Sequence, residues 1–183
     1  MHACELKEVH IDPAITSDRP SETTAIPLAA HYISSSLILP SSHPSSLQTY
    51  SPITSTLISE LEVSPSNRVS RREDRPLEPS RVEFAVTSDS GEWLATVDSR
   101  PAMDGFRSEV YLKIWWWDST SNSWILNTRI DRPHGSKKVT AVAFRPRVRE
   151  VTVHSLVTAG QDGSVKVWGV RSTTNKSGST ESM

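Results

Sequence analysis

Residues 156–168 constrain the fold of this chain more than any other segment, because they describe a complete β-hairpin. The β-prone residues 156–159 predict one short strand, and the alternation of apolar and polar side chains over residues 165–167 predicts a second, half-buried strand. Residues 160–163 (Gly-Gln-Asp-Gly) have turn composition, because glycine tolerates positive φ and aspartate bonds its own backbone. The hairpin ends at Trp168. If this hairpin is one unit of a repeat architecture, related strand pairs are expected elsewhere in the chain.

Two further copies of the pattern lie upstream. Residues 112–115 (Leu-Lys-Ile-Trp) match residues 165–168 (Val-Lys-Val-Trp) in character at every position. This middle copy begins at residues 82–87 and continues through residues 88–97, and its fourth strand is predicted at 124–130. A weaker copy has strands at 36–39, 46–50 and 56–63. Upstream of the hairpin, residues 139–144 predict a strand with Val139, Ala141 and Ala143 on one face and Val142 with Phe144 on the other.

These strands resemble the blades of the WD-repeat β-propeller family. The resemblance implies an all-β fold, a partial WD-repeat β-propeller of about three four-stranded antiparallel blades with disordered termini. The expected boundaries are a disordered head at 1–23, a divergent blade at 24–63, a Pro/Arg-rich loop at 64–80, a second blade at 81–130, a third blade at 131–170 and a disordered tail at 171–183. Three blades cannot close a ring, since propellers have about four to eight. We therefore expect a piece of a longer protein or a shortened gene model.

Four polar residues around the last hairpin match a hydrogen-bonded set that the WD-repeat family uses to hold a blade together. The resemblance places a histidine before the first strand, a hydroxyl residue in the second, an aspartate in the turn and a tryptophan in the third. The matching residues are His134, Thr158, Asp162 and Trp168. We interpret them as a structural relay and not as an active site, because buried polar groups are normally present to be paired. The middle blade keeps Thr96 and Trp115 but shows no histidine partner.

A second group of residues is a candidate for contacts with partners. The run of three tryptophans at 115–117 cannot pack in one layer, because adjacent strand residues face opposite sides. Packing between blades and a partner-binding anchor are the two main interpretations, with stacking on bases as a third. Arginines in two clusters are either solvated loop charges or contacts to RNA phosphates. The candidate contacts are Trp116, Trp117, Arg71, Arg72, Arg145 and Arg147.

Composition argues against several functional classes. The net charge is −1 and the pI about 6.6, which lacks the basic character of a nucleic-acid or membrane-surface protein. Cys4 is the single cysteine, so an internal disulfide and a thiolate zinc cluster are excluded. No apolar run approaches the ~20 residues of a membrane span. The sequence also has no phosphate-binding glycine loop, metal spacing or nucleophile elbow. We expect no enzymatic activity, no cofactor and no membrane partner.

Three segments are more specific than a generic blade. Residues 39–52, residues 58–71, and residues 112–118 with 126–135 resemble the nucleolar WD-repeat subunits of the UTP-A (t-UTP) subcomplex of the small-subunit processome. That resemblance implies a scaffold in ribosome biogenesis, in the nucleus and nucleolus, that supports small-subunit pre-rRNA processing and is linked to ribosomal DNA transcription. The implied partners are other processome proteins, pre-ribosomal RNA and the small nucleolar ribonucleoprotein. The alternative is a generic WD-repeat adaptor of another intracellular complex.

Overall fold

The computed structural model describes residues 27–66, 78–102, 107–146 and 154–170, which form eleven β-strands in three antiparallel sheets. Sheet 1 contains β1 (Ala29–His31), β2 (Ser36–Pro40), β3 (Ser46–Ser51) and β4 (Thr56–Glu62). Sheet 2 contains β5 (Arg81–Thr87), β6 (Trp93–Arg100), β7 (Glu109–Asp118) and β8 (Ser123–Asp131). Sheet 3 contains β9 (Val139–Phe144), β10 (His154–Gly160) and β11 (Val165–Val170).

The strands of each sheet follow one another in chain order, so every sheet is a simple meander. The all-β fold expected from the sequence is confirmed, and β1 is the strand that the sequence did not indicate. Sheet 3 differs from the expectation of four strands, since it has three within the described residues. The predicted head at 1–23 and tail at 171–183 lie outside those residues, as do residues 67–77 of the predicted loop.

Sheet 2 lies between the other two sheets and packs on both of them. One face packs on sheet 1 through a cluster that includes Ile38, Leu47, Leu94 and Trp115. The other face packs on sheet 3 through a cluster that includes Ala95 and Leu156. Neighbouring residues of β6 therefore contact different sheets, as the alternation of side chains along a strand requires. This two-sided burial explains the nearly continuous apolar sequence at the start of β6.

The structure corrects the predicted faces of β9. A β-bulge opposite Ala159 and Gly160 shifts the register, so that Ala159 pairs with Ala141 while Gly160 pairs with Val139. The extra residue, Thr140, puts Val139 on the same side as Val142 and Phe144, and all three pack in the core between sheets 2 and 3. Ala141 and Ala143 are exposed instead. A bulge of one residue reverses the facing of everything before it, which the alternation of side chains cannot show.

Candidate functional site

The structure brings together the four polar residues that the sequence singled out around sheet 3. His134 lies in the connection from β8 to β9, and its Nδ1 is 2.9 Å from Asp162 Oδ1. Its Nε2 is 2.9 Å from Thr158 Oγ1 in β10. Trp168 of β11 donates from its indole Nε1 to the same Thr158 Oγ1 at 3.0 Å. The four side chains thus form one chain of hydrogen bonds that joins a connecting segment, a strand, a turn and an edge strand.

The donors in this chain can be assigned from chemistry. An indole N–H only donates, so Thr158 accepts from Trp168 and its own hydroxyl hydrogen is free to donate to His134 Nε2. His134 then carries its hydrogen on Nδ1 and donates it to the Asp162 carboxylate, which only accepts. His134 and Thr158 are almost completely buried. Every donor in the relay therefore has an acceptor, which is the arrangement that a buried polar network needs for stability.

Asp162 is held in its ionised form by the turn that carries it. Its Oδ1 accepts from the Ser164 backbone N–H at 3.0 Å and its Oδ2 from the Ser164 hydroxyl at 2.8 Å. These bonds, with the smaller contribution of His134, lower the pKa of Asp162 to about 2. The carboxylate is thus a fixed acceptor and is not poised to exchange protons near neutral pH. A general base needs a pKa near the working pH, so this geometry supports a structural role.

Gly160 is needed for space and not for an unusual backbone angle. A Cβ atom built on Gly160 would lie well within contact distance of the His134 ring and 2.8 Å from Asp162 Oδ1. The backbone of Gly160 is not among the positive-φ residues, whereas Gly163 in the turn has φ of 76°. The sequence predicted a turn glycine at both positions. Only Gly163 has that function, and Gly160 ends β10 where the histidine packs against the chain.

Sheet 2 repeats one half of the relay, the bond from tryptophan to threonine. Trp115 donates to Thr96 Oγ1 at 2.9 Å, as Trp168 does to Thr158. Two residues after each threonine, sheet 2 has Asp98 where sheet 3 has Gly160. Gly160 leaves the room that His134 fills, whereas sheet 2 carries a side chain at the matching position. The Asp98 carboxylate lies 2.7 Å from Lys113 Nζ and accepts from the Ser80 hydroxyl at 3.0 Å.

Lysines of the matching strands hold the connections between sheets. Lys113 of β7 donates to the carbonyl of Val63 at 2.5 Å, and Lys166 of β11 donates to the carbonyl of Pro133 at 2.6 Å. Val63 and Pro133 each lie in the segment that leads from the preceding sheet. The lysine shared by the two sequence motifs thus has one function in both sheets, which the motif alone did not indicate.

The buried ion pair between Lys113 and Asp98 has no counterpart in sheet 3. Lys113 Nζ is 2.7 Å from Asp98 Oδ1. The hydroxyl of Ser80, the residue directly before β5, donates to Asp98 Oδ2 at 3.0 Å. Burial raises the pKa of Asp98, while the charge of Lys113 opposes that rise. The connection between sheets 1 and 2 is therefore held to sheet 2 at two points. Val63 is bonded to Lys113 and Ser80 is bonded to Asp98.

A second buried histidine, His31, was not identified from the sequence. Its ring lies 4.4 Å from that of Trp117 and 4.8 Å from that of Trp124, between sheets 1 and 2. Nε2 donates to the carbonyl of Gly91 at 2.9 Å, so Nδ1 accepts from the Ser34 hydroxyl at 2.6 Å. Its three-residue strand is too short for a periodicity argument, and the bond to Gly91 spans distant parts of the sequence. No local sequence signal could have found it.

The stability of this chain is expected to depend on the ionisation of His31. Burial lowers the pKa of His31 from its ordinary value of 6.5, so the folded state keeps the ring neutral. As pH falls through 6.5, the unfolded chain takes up a proton that the folded chain does not, and stability is lost towards the lower folded pKa. Urea unfolding at about pH 7.5 and about pH 5.5 measures the effect. We expect His31→Gln to lose less stability over this interval than the wild type.

His43→Gln is the matched control, because His43 is only partly buried in the β2–β3 turn and its ring contacts a nearby serine. Comparison of the two variants shows whether an altered pH dependence is specific to His31. Equal pH dependence in the wild type and in His31→Gln would contradict the prediction.

The structure separates the three consecutive tryptophans. Trp115 and Trp117 face sheet 1 and are buried, while Trp116 faces the opposite way and is 42% exposed. Burial of Trp117 against His31 and Trp124 conflicts with a role as a surface contact. The alternation along β7 is the physical reason. Trp116 keeps the exposure that a partner contact needs.

Among the candidate arginines, Arg145 lies exposed directly after β9. Its backbone N–H donates to the Ser155 carbonyl at 2.8 Å. Arg71, Arg72 and Arg147 lie outside the described residues.

The described residues contain neither a metal-binding cluster nor a membrane-spanning helix. No group of three or more His, Cys, Asp or Glu side chains is arranged there to hold a metal ion. In the same part of the chain, no helix has the length and apolar character to cross a membrane. The polar side chains gathered here bond to one another and to backbone groups of adjoining segments. Their arrangement holds the sheets and the segments between them together.

Comparison with known proteins gives one family. The family model for the second β-propeller of WD repeat-containing protein 75 matches residues 31–183. The chain is 40% identical over 86 residues to WD repeat-containing protein 75 of Xenopus laevis, which is 46% of this chain and 10% of the relative. Identity to the Homo sapiens protein of the same name is 37% over 78 residues, 43% of this chain and 9% of the relative.

A fungal relative bears a different name. U3 small nucleolar RNA-associated protein 17 of Schizosaccharomyces pombe is 33% identical over 93 residues, 47% of this chain and 11% of that protein. The chain therefore spans about a tenth of the length of the curated relatives it matches.

Proposed function

The chain belongs to the WD-repeat family defined by the second β-propeller of WD repeat-containing protein 75, and from this membership we propose that it acts as a non-catalytic scaffold in ribosome biogenesis. The proposed role is assembly of the small-subunit processome and processing of small-subunit pre-rRNA, in the nucleolus. The match over residues 31–183 is the observation that carries the proposal. The fungal relative is named as a protein associated with U3 small nucleolar RNA, and this name supports the proposal.

The internal chemistry of the chain supports a scaffold in preference to an enzyme. His134, the first residue an enzyme hypothesis would choose, is almost fully buried and both of its ring nitrogens have partners. Asp98 and Lys113 are likewise buried and paired with each other. A catalytic acid or base must reach its substrate. Side chains that are buried and bonded to other groups of the chain cannot do so, and their role here is to hold the sheets in place. What remains for function is the surface, including Trp116 and Arg145.

The proposed partners are other processome proteins, with pre-ribosomal RNA and the small nucleolar ribonucleoprotein in the same complex. Affinity purification of the tagged chain, followed by mass spectrometry and RNA sequencing, tests this. We expect processome proteins and small-subunit pre-rRNA to be enriched, with the tagged chain in the nucleolus. Ultraviolet crosslinking separates direct RNA contact from membership of the complex. The proposed link to ribosomal DNA transcription is tested by nascent pre-rRNA synthesis when the chain is depleted.

A matched pair of surface variants sharpens the purification. Arg145→Glu reverses an exposed charge, whereas Lys137→Glu reverses an exposed charge in the connection from β8 to β9. If arginines contact RNA phosphates, Arg145→Glu should reduce RNA recovery more than Lys137→Glu. Absence of processome proteins and of pre-rRNA, with subunits of a chromatin or trafficking complex in their place, would overturn the proposal in favour of the generic adaptor.

A further inference from the structure

The connection from β8 to β9 carries a concentration of positive charge. Residues 132–138 (Arg-Pro-His-Gly-Ser-Lys-Lys), which we call the basic turn, contain three cationic side chains and no carboxylate. All three cations, Arg132, Lys137 and Lys138, are exposed. Residues 29–62, which span sheet 1, contain no lysine or arginine, and the whole chain has a net charge of −1. The basic turn is therefore a local exception in a chain that is close to neutral.

Two cations of the basic turn lack a partner in the described part of the chain. Arg100, by contrast, is paired with Glu109 across neighbouring strands at 2.7 Å. Arg132 and Lys137 make neither a side-chain hydrogen bond nor an ion pair with residues that the structure describes. Their charges are therefore available to a binding partner.

The carboxylates on either side of the basic turn have other partners. Asp131, directly before the turn, accepts from Arg129 Nε at 2.8 Å. Asp162, in the neighbouring hairpin, accepts from Ser164 and lies 2.9 Å from His134 Nδ1. Both carboxylates are thus engaged by groups other than the two unpaired cations.

The backbone of the basic turn is fixed by hydrogen bonds at its start and at its end. The Arg132 N–H donates to the Val110 carbonyl at 2.8 Å, and the Gly135 N–H donates to the Arg132 carbonyl at 3.0 Å. At the other end, the Gln161 N–H donates to the Lys138 carbonyl at 2.9 Å. The buried relay holds the middle of the turn through its histidine. A surface that is already ordered loses less conformational entropy when it binds a partner.

The basic turn is open to a partner on the side of Gly135. A Cβ atom built on Gly135 would meet no atom within 4 Å apart from its neighbours in the chain. Ser136 is exposed beside it, and its hydroxyl is a further hydrogen-bond donor at this surface. A negatively charged segment can therefore approach the turn without displacing other side chains.

We propose that the basic turn binds an acidic segment of a partner protein. Aspartate and glutamate carboxylates complement this surface, because a guanidinium such as that of Arg132 holds a carboxylate through two parallel hydrogen bonds. The Lys137 ammonium adds a second, compact charge. Such a contact serves a scaffold of any complex, so the proposal goes beyond the processome assignment and does not depend on it.

The charge distribution favours a carboxylate segment over RNA. An RNA strand carries a phosphate at every nucleotide, so its binding proteins present a basic surface that follows the backbone over several contacts. The basic turn is limited to seven residues and is bordered by the carboxylates of Asp131 and Asp162. RNA that extends past the turn would meet these negative charges, whereas a short acidic motif matches the turn alone.

Carbodiimide crosslinking tests the proposal in the assembled complex, because this reagent joins an amine to a carboxylate that is in contact with it. The tagged full chain is purified with its partners, crosslinked and analysed by mass spectrometry. We expect Lys137 to be joined to an aspartate or glutamate in an acidic segment of another protein. Lys166 is the internal control. Its ammonium bonds to the Pro133 carbonyl at 2.6 Å, so it should not be crosslinked.

A fluorescent hexaglutamate peptide measures the same contact with the purified intact chain. Fluorescence anisotropy should show the double variant Arg132→Gln/Lys137→Gln binding about tenfold more weakly than the wild type, which corresponds to ~1.4 kcal/mol. The matched control is Arg107→Gln/Arg145→Gln, which removes the same charge from exposed residues outside the turn. This control should bind within about twofold of the wild type. Circular dichroism checks that both variants keep the β fold.

Four results would overturn the proposal. Absence of crosslinks from Lys137 to an acidic segment of another protein would exclude the contact in the complex. Hexaglutamate that binds the wild type no better than Arg132→Gln/Lys137→Gln would exclude it in the purified chain. Equal weakening by the two double variants would show a response to net charge and not to the turn. Tighter binding of oligouridylate than of hexaglutamate, with loss of RNA recovery in Lys137→Glu, would identify RNA as the occupant.

Discussion

Replacing Trp115 by alanine is expected to lower the free energy of unfolding by about 3–5 kcal/mol, the usual cost of removing a large buried aromatic side chain. Trp115 is 6% exposed and belongs to the core between sheets 1 and 2. The substitution leaves a cavity there and removes the bond to Thr96 Oγ1. Urea unfolding followed by circular dichroism measures the change, and the slope against urea shows whether the transition remains two-state.

Trp168→Ala is the control that separates packing from hydrogen bonding. Trp168 makes the same bond to Thr158 at 3.0 Å, but it is only half-buried in the last described strand. From the sequence alone, a cost of about 3–5 kcal/mol would be expected for Trp168 as well. With part of its surface already exposed, we now expect about half that cost. If the two substitutions cost the same, the hydrogen bond and not burial would dominate, and the prediction would be wrong.

Breaking the ion pair of Asp98 and Lys113 from one side is expected to cost about 3–5 kcal/mol, because it leaves a buried charge without its partner. Both side chains are at most 6% exposed. Asp98→Asn leaves the Lys113 ammonium unpaired, and Lys113→Met leaves the carboxylate unpaired. The double variant should cost clearly less than the sum of the two single changes, because no uncompensated charge remains. Strict additivity of the three free energies would contradict the ion pair.

The free energy of unfolding of Lys113→Met is expected to fall as pH rises. Burial raises the pKa of Asp98 above its ordinary value of 3.8, and the charge of Lys113 limits the rise. In Lys113→Met the charge that lowers the pKa of Asp98 is removed. The Asp98 carboxyl should therefore stay protonated to higher pH in the folded state than in the unfolded state. Stability is then present at low pH and is lost as pH rises through the folded pKa. Unfolding curves of this variant between about pH 4 and about pH 7 should show the loss, and those of the double variant should not.

Local patterns in the sequence predicted a large part of the fold. The hairpin around Gly163 and the strand that ends in Trp168 are visible because turn composition and alternation act over a few residues. The relay of His134, Thr158, Asp162 and Trp168 was identified from family resemblance, and the distances in the structure agree with one continuous network. Family membership was likewise accessible from the sequence and is supported by the match over residues 31–183.

Contacts between distant segments were not predictable in this way. His31 bonds to Gly91, sixty residues away, and nothing near it in the sequence indicates that carbonyl. The bonds from Lys113 to Val63 and from Lys166 to Pro133 depend on which connection passes beneath each strand. Such partners are chosen when the sheets pack, and a pattern of neighbouring residues contains no information on them.

The sequence by itself determined most of the strands and their turns, because these follow from side-chain alternation and turn chemistry over short distances. The family came from resemblance to known repeats and from the match over residues 31–183. Only the tertiary structure decided which faces are covered. β6 of sheet 2 is buried on both faces, and a bulge at Thr140 reversed the facing of Val139. Trp116 stays exposed while Trp117 is buried, because neighbouring residues of β7 face different sheets. Burial is a property of what lies opposite a side chain, so it is decided only when the sheets come together.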